Sequence, residues 1–216
     1  MDEDGRFRVT EEQMVVPAAP GPGVERKAVL RRHELSVVRS DLRGFTAFCE
    51  VNGADAAVEL LRDYYATVAA EVMAFGASIK EHAGDGTLVL VGAIEPSSDH
   101  AERAVAMSLS IMVRAEEFLA PHRGAGTVTG LGIGVASGVV SVGSVEAGTR
   151  VEPVAVGAAV NLAARLCARA GPGQILVDFR TLQLVRGGGS PRFEALEQAR
   201  LKGFARPVPI FQAIRA

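Results

Sequence analysis

The sequence contains no tryptophan and only two tyrosines, and aromatic residues make up 5% of its 216 residues. Proteins that bind single-stranded nucleic acid commonly stack the bases on aromatic side chains, so this scarcity argues against such a role. Positive and negative charges are nearly balanced, with 23 Lys and Arg against 25 Asp and Glu. Because the formal net charge is −2, no face of the protein has to be strongly basic. We therefore expect no nucleic-acid partner.

Cysteine is scarcer still than the aromatic residues. Cys49 and Cys167 are the only two, and neither has a metal-ligating neighbour in the sequence. We interpret them as buried free thiols of a reducing compartment. Hydrophobic runs such as LVLVGAI (88–94) are too short to span a bilayer, and MDEDGRFRV at the start lacks the pattern of a signal peptide. These absences predict a cytoplasmic protein without a membrane span.

Proline and glycine cluster near the start of the chain, in PAAPGPG (17–23). This composition is typical of a linker, because proline stiffens the chain and removes backbone donors. We predict that residues 1–28 form a flexible arm. The length of the remainder, residues 29–216, suits one domain.

Hydrophobic periodicity predicts three long helices in this domain. Apolar residues recur at three- and four-residue spacing over 54–76, 97–120 and 156–171. We expect Ser97 or Ser98 to cap the second of these helices.

The remaining apolar segments predict strands. LSVV (35–38) favours a strand, and ASIKEH and GTLVLVGA predict a hairpin closed by an Ala-Gly-Asp-Gly turn. We interpret residues 126–145 as two strands bent around Gly138, and residues 207–214 as a final strand. This order of elements predicts an α+β sandwich, with helices over a largely antiparallel sheet.

Two acidic residues stand at the ends of predicted strands. Asp41 lies in SDLRGFTAF (40–48), and Asp85 lies in the turn of HAGDGTLVL (82–90). Carboxylates on neighbouring strand ends are a common way to hold magnesium, which prefers hard oxygen ligands. Taken alone, each stretch favours the simpler interpretation of a helix cap or a turn.

Five segments, in this order and spacing, resemble the catalytic domain of the class III nucleotidyl cyclases. They are SDLRGFTAF, GASIKEHAGDGTLVLVGA, GLGIGVASGVVSVG, VGAAVNLAARL and LKGF. The resemblance covers residues 34–214. It implies a ferredoxin-like α/β sandwich that forms a head-to-tail homodimer. It also implies conversion of a nucleoside triphosphate to a 3′,5′-cyclic nucleotide and pyrophosphate, which is lyase chemistry for second-messenger signalling.

By this resemblance, Asp41, Asp85 and the backbone carbonyl of Leu42 are the ligands of two Mg²⁺ or Mn²⁺ ions in each active site. Two ions about 3.5–4 Å apart lower the pKa of the attacking 3′-hydroxyl and neutralise the leaving pyrophosphate. The Gly44-Phe45-Thr46 turn is expected to offer backbone amides to the phosphates at a helix start.

Three further residues match functional positions of the family. Asn161 and Arg165 are four residues apart, so they share one face of a predicted helix. The resemblance implies that Asn161 orients the ribose and that Arg165 stabilises charge on the α-phosphate. Lys202 of LKGF matches the lysine that reaches the β- and γ-phosphates. In the homodimers of this family, these residues and the metal aspartates of one site come from different subunits.

The two positions that read the base depart from the adenylyl cyclase pattern. The lysine that usually lies four residues before the second aspartate is replaced by Glu81. Lys80 is expected on the opposite face of the strand. Val154 stands at the second base-reading position and offers no hydrogen bond, and Ala158 replaces the usual aspartate before Ala-Val-Asn.

These departures leave the base open. A carboxylate at position 81 accepts from N1–H and the exocyclic amine of guanine, but it also accepts from the N6 amine of adenine. A pocket without its second polar group rejects wrong bases weakly. We place ATP first because cAMP production is common among bacterial-type members, then GTP because of Glu81, then a pyrimidine triphosphate.

Two other classes of protein share part of this pattern. A regulatory module that binds nucleotide without turnover would keep the fold, but Asp41, Asp85, Asn161 and Arg165 are all present, which favours catalysis. A polymerase palm shares a ferredoxin-like core and paired aspartates. It is disfavoured by the balanced charge and by the lack of any finger or thumb segment.

Overall fold

The computed structural model describes residues 30–125, 130–147, 150–186 and 191–215, so the predicted arm over residues 1–28 lies outside it. The strands are β1 (Arg31–Arg43), β2 (Ser78–Ala83), β3 (Gly86–Val91), β4 (Gly130–Ala147), β5 (Arg150–Val156), β6 (Ile175–Asp178), β7 (Arg192–Ala195) and β8 (Ile210–Ile214). The helices are α1 (Phe45–Ala74), α2 (His100–Leu119), α3 (Ala158–Arg169) and α4 (Phe179–Leu184), and a 3₁₀ helix (Ala120–Ala125) follows α2. None of these helices is long and apolar enough to cross a membrane.

The described strands form one sheet in the order β2-β3-β1-β4-β6-β8-β7, with β5 paired to β4 outside this path. Among them, only β4 and β6 pair in parallel. The predicted α+β sandwich with a largely antiparallel sheet is therefore confirmed. The central strand β1 pairs with β4 along its whole length, from Arg31 opposite Val142 to Arg43 opposite Gly130.

The side chains of β1 alternate between two hydrophobic cores, one on each face of the sheet. Val38 and Leu42 belong to the core that α1 and α2 cover, whereas Leu35 and Val37 belong to the core that α3 covers. Successive residues of a strand point to opposite faces. Asp41 and Arg43 are therefore on the face that α3 covers.

Glycine residues in β4 allow α3 to lie directly against the sheet. A Cβ atom on Gly134 would meet the carbonyl oxygen of Ala163 and the backbone nitrogen of Cys167, which are both in α3. At Gly132, two residues earlier, a Cβ atom would meet the guanidinium group of Arg43. The GLGIG segment is therefore a packing surface, which places α3 and Arg43 close to β4.

Of three element boundaries predicted from the sequence, one is confirmed and two are wrong. The helix predicted from residue 54 is the second of two helical segments of α1, which are joined at Gly53 with φ of 80°, and the first segment begins at Phe45, at the expected helix start. The cap residue of α2 is Asp99, and the hydroxyl of Ser97 instead hydrogen bonds to the side chain of Asp99. Residues 130–147 form one strand rather than two, because β1 pairs with β4 through Gly138 without interruption.

Candidate active site

Asp41 and Asp85 lie at the same end of two paired strands, β1 and β3. Asp41 is near the end of β1 and is opposite Gly86, the first residue of β3. The backbone N–H of Leu42 donates to the carbonyl oxygen of Asp85 at 3.0 Å. Gly86 has no side chain, and a Cβ atom there would lie 3.3 Å from Oδ1 of Asp41. The hairpin turn therefore places the second acid beside the first.

The surroundings of Asp41 disfavour its charged form, so a bound cation would stabilise the carboxylate. Burial raises the pKa of Asp41, and the neighbouring charge of Asp85 raises it further, although Arg43 and Arg39 act in the opposite direction. A divalent cation bound between the two acids would reverse this balance, because it is the largest local charge in such a site.

The donor set fits magnesium or manganese. In the described ranges, no three or more His, Cys, Asp or Glu side chains cluster as a potential metal site. Mg²⁺ is usually bound through one or two carboxylates together with waters and substrate phosphates, so a larger cluster is not required. Asp41 and Asp85 suit a cation whose coordination is completed by a triphosphate.

The start of α1 follows directly after Asp41. Gly44 has φ of 82°, a left-handed conformation that favours glycine, and it precedes the first helical residue, Phe45. Among the residues that the structure describes, no side chain forms a capping hydrogen bond at this helix start. The first N–H groups of a helix have no partner within the helix, so the predicted Gly44-Phe45-Thr46 turn is at a helix N-terminus suited to an anion.

Two tyrosines hold the strands and the turn that carry the acids, which sequence analysis alone does not predict. The hydroxyl of Tyr64 is buried and lies 2.8 Å from Oγ of Ser40, which in turn lies 2.6 Å from Oγ1 of Thr87. Burial raises the pKa of Tyr64, so it stays protonated. The hydroxyl of Tyr65 donates to the carbonyl of Gly84, and its ring lies 4.3 Å from that of His82. These contacts join α1 to β1, to β3 and to the turn with Asp85.

Arg43 is also a residue whose role the sequence did not indicate. Its side chain is partly buried and pairs with Asp41, where Nη1 donates to Oδ2 at 2.7 Å. It also reaches α3, where Nη2 donates to the carbonyl oxygen of Cys167. Arg43 therefore lies between the sheet and α3, whereas a charged residue at this position of the sequence would usually be on a helix surface.

Asn161 and Arg165 lie on the exposed face of α3, opposite the buried Ala163 and Leu166. In the described part of the chain, no hydrogen bond or ion pair joins either of them to Asp41 or to Asp85. The structure therefore keeps the predicted pair on one exposed helix face, without a direct polar interaction with the acids of the same copy among the described residues. Lys202 is exposed, in a turn before Gly203.

The two predicted base-reading positions lie on two strands that are not paired with each other. Glu81 is exposed on β2, and Val154 is half-buried on β5, where it pairs with Gly143 of β4. The strands β2 and β5 approach each other, although they are distant in the sequence.

A β-bulge corrects the prediction for Lys80. Ile79 is opposite Val89 and Glu81 is opposite Leu88, so Lys80 is an extra residue in the pairing. Strict alternation, which would place Lys80 and Glu81 on opposite faces, does not apply here.

The single mixed sheet with helices on both faces is the architecture of the class III cyclase catalytic domains. Residues 29–212 match the family described as Adenylate and Guanylate cyclase catalytic domain. The chain therefore belongs to the class III adenylyl/guanylyl cyclase catalytic domain family.

Solved structures of cyclases are similar to this chain over most of its length. The adenylyl cyclase CyaB from P. aeruginosa has a TM-score of 0.80 and 29% identity, with 87% of this chain and 96% of that chain covered. The guanylyl cyclase Cya2 has a TM-score of 0.75 and 31% identity, with 85% and 93% covered.

Curated relatives are longer than this chain. An uncharacterized protein of Mycobacterium tuberculosis (strain CDC 1551 / Oshkosh) is 30% identical over 177 residues, which are 81% of this chain and 30% of the relative. A second uncharacterized protein, from Mycobacterium bovis, is 28% identical over 186 residues. The chain spans about a third of the length of these relatives.

Proposed function

We propose that this domain converts a nucleoside triphosphate to its 3′,5′-cyclic monophosphate and pyrophosphate, and thereby produces a second messenger. The observation that carries the proposal is the placement of Asp41 and Asp85 side by side at one sheet edge, in a chain that belongs to the cyclase family. The product forms when the 3′-hydroxyl of the substrate bonds to the α-phosphorus. The bond from that phosphorus to the β-phosphate oxygen breaks, and the hydroxyl proton is lost.

The residues near the acids would bind the triphosphate end of the substrate. Asp41, Asp85 and the carbonyl of Leu42 would hold Mg²⁺ or Mn²⁺, two ions to a site. When bound, these ions supply Lewis acidity toward the 3′-hydroxyl and the phosphate oxygens. The backbone N–H groups of Gly44-Phe45-Thr46 would orient the phosphates, because the positive end of the α1 dipole favours negative charge there.

A second copy of the chain would complete the site. Asn161 and Arg165 are exposed on α3, and within the described residues neither forms a hydrogen bond or an ion pair with Asp41, which is consistent with a site shared between two copies. In the homodimer, Asn161 would orient the ribose, Arg165 would stabilise charge on the α-phosphate, and Lys202 would bind the terminal phosphates. Glu81 and Val154 would contact the base from the same copy as these three.

The first experiment is a substrate test with the purified protein. We expect one dominant cyclic product when the protein is incubated with Mn²⁺ and ATP, GTP, CTP or UTP separately, with ATP first and GTP second. Asp85→Ala should lower the rate by at least about 100-fold, since it removes a ligand of the metal site. The matched control is Asp55→Ala, which removes an exposed acid of α1. If a protein shown to be dimeric forms no cyclic product from any of the four triphosphates, the result would favour a regulatory module that only binds nucleotide.

Glu81 is expected to set the base preference. The variant Glu81→Lys removes the acceptor for N1–H and the exocyclic amine of guanine, so the ratio of GTP to ATP turnover should fall by about 10-fold or more. Glu194→Lys is the matched control, since Glu194 is exposed on β7 at the opposite edge of the sheet. The measurement is kcat/KM for each nucleotide. An equal change in both values would show that position 81 does not read the base.

A further inference from the structure

The guanidinium group of Arg43 is held at three places. Nη1 donates to Oδ2 of Asp41 at 2.7 Å. Nη2 donates to the carbonyl oxygen of Cys167 and lies 3.5 Å from the sulfur of the same residue. The group also lies against Gly132, where a side chain would collide with it. These contacts leave the arginine in a slot between β4 and the last turn of α3.

Stability alone is a poor reason for this arrangement. The side chain of Arg43 is only 19% exposed, and its Nε is buried without a hydrogen-bond partner among the described residues. Removing a charged group from water costs free energy that a partly buried ion pair often does not recover. An arrangement that is costly and fixed in several directions is typical of a group that orients a functional side chain.

The contact also determines which oxygen of Asp41 is available. Arg43 binds Oδ2, whereas Oδ1 is the oxygen near Gly86, beside the turn that carries Asp85. The ion pair thus fixes the carboxylate with one oxygen toward the second acid.

We infer that Arg43 is a positioning residue for the metal site, which holds the carboxylate of Asp41 in its binding orientation and connects it to the last turn of α3. The inference rests on the proposed function. Since α3 also carries Asn161 and Arg165, Arg43 connects two elements that would serve different active sites of the homodimer.

The test is Mn²⁺ binding by the full chain, measured by electron paramagnetic resonance without nucleotide and with the 3′-deoxy form of the preferred triphosphate, which completes the coordination but cannot cyclise. We expect Arg43→Ala to weaken Mn²⁺ binding by about 10-fold, in the range found for residues that orient metal ligands. Arg43→Lys keeps the charge but cannot hold Asp41 and Cys167 together in the same fork geometry, so it should lose nearly as much. Gly132→Ala leaves the arginine in the chain but displaces its guanidinium, so it should also weaken binding.

The matched control is Arg39→Ala. Arg39 is on the same face of β1 and places a second positive charge near Asp41, without a hydrogen bond to it in the described part of the chain. Removing that charge should leave Mn²⁺ affinity unchanged or slightly increased. Thermal unfolding of each variant identifies any that fail to fold. If Arg43→Ala fails to fold, the Mn²⁺ affinities of Gly132→Ala and Arg43→Lys test the role of Arg43 instead.

The outcomes separate this inference from the proposed function. If the wild type binds Mn²⁺ and Asp85→Ala does not, the metal site stands. Equal Mn²⁺ affinity in Arg43→Ala and Arg39→Ala would then overturn the role of Arg43 and leave the proposed function intact. Tighter Mn²⁺ binding in Arg43→Ala would also overturn it, because Arg43 would then compete with the cation. If the wild type binds no Mn²⁺ beyond that held by the free nucleotide even when the 3′-deoxy triphosphate is present, the metal site itself fails and the inference fails with it.

Discussion

A mixture of Asp41→Ala and Asn161→Ala protein is expected to recover activity that neither variant has alone. In a homodimer of either variant, both sites lack one essential group, so each variant should lose at least about 100-fold in kcat. In a mixed dimer, one site lacks both groups and the other is intact. If subunits of equal amounts exchange freely, half of the dimers are mixed, and about a quarter of the wild-type activity should return.

The control for this experiment is a pair of variants from the same half of the site. Asp41→Ala mixed with Asp85→Ala should recover nothing, because every possible dimer keeps a defect in both sites. Subunit exchange is confirmed by native mass spectrometry, and product formation is measured before and after mixing. If mixed dimers of Asp41→Ala and Asn161→Ala form but remain as inactive as the separate variants, the shared site is excluded.

The overall architecture could be predicted because hydrophobic spacing and turn residues are local signals. Two apolar runs and a Gly-Asp-Gly turn predict the hairpin around Asp85, and the structure confirms it as the antiparallel pair β2 and β3. The family of the chain was predicted from the order of five motifs and is confirmed. The roles of Asp41, Asp85, Asn161 and Arg165 stay predictions, since the structure gives their placement and not their chemistry.

The residues that sequence analysis missed are those whose partners are distant along the chain. Arg43 donates a hydrogen bond to the carbonyl oxygen of Cys167, which is 124 residues away, and Tyr65 donates one to the carbonyl oxygen of Gly84. No local pattern encodes such contacts, because an arginine at the end of a strand and a tyrosine in a helix are ordinary on their own. The bulge at Lys80 was missed for the same reason, since it is defined by the register with β3.

The sequence predicts a bend at Gly138 of β4, whereas the structure shows that a glycine of this strand is required for packing, at Gly134. The strand continues through Gly138, where a Cβ atom would meet only the Cβ of Ala159 at 3.5 Å, an ordinary contact. At Gly134 the same atom would collide with the backbone of α3. Identical residues four positions apart in one strand are therefore expected to respond very differently to the same substitution.

Gly134→Ala is expected to destabilise the domain by about 3 kcal/mol, at the upper end of what overpacking costs, because the obstructing atoms are backbone and cannot rotate away. For a chain of this size, that corresponds to a fall of roughly 10 °C in Tm. Gly138→Ala is the matched control and should change Tm by little. Both are measured by thermal unfolding monitored by circular dichroism.

The same substitution should also affect the active site. A displaced α3 carries Asn161, Arg165 and the contact to Arg43 with it, so the folded fraction of Gly134→Ala should be less active than wild type well below its Tm. Similar unfolding temperatures for the two alanine variants would contradict the close packing of α3 on β4. A destabilised but fully active Gly134→Ala would instead show that the position of α3 does not limit the reaction.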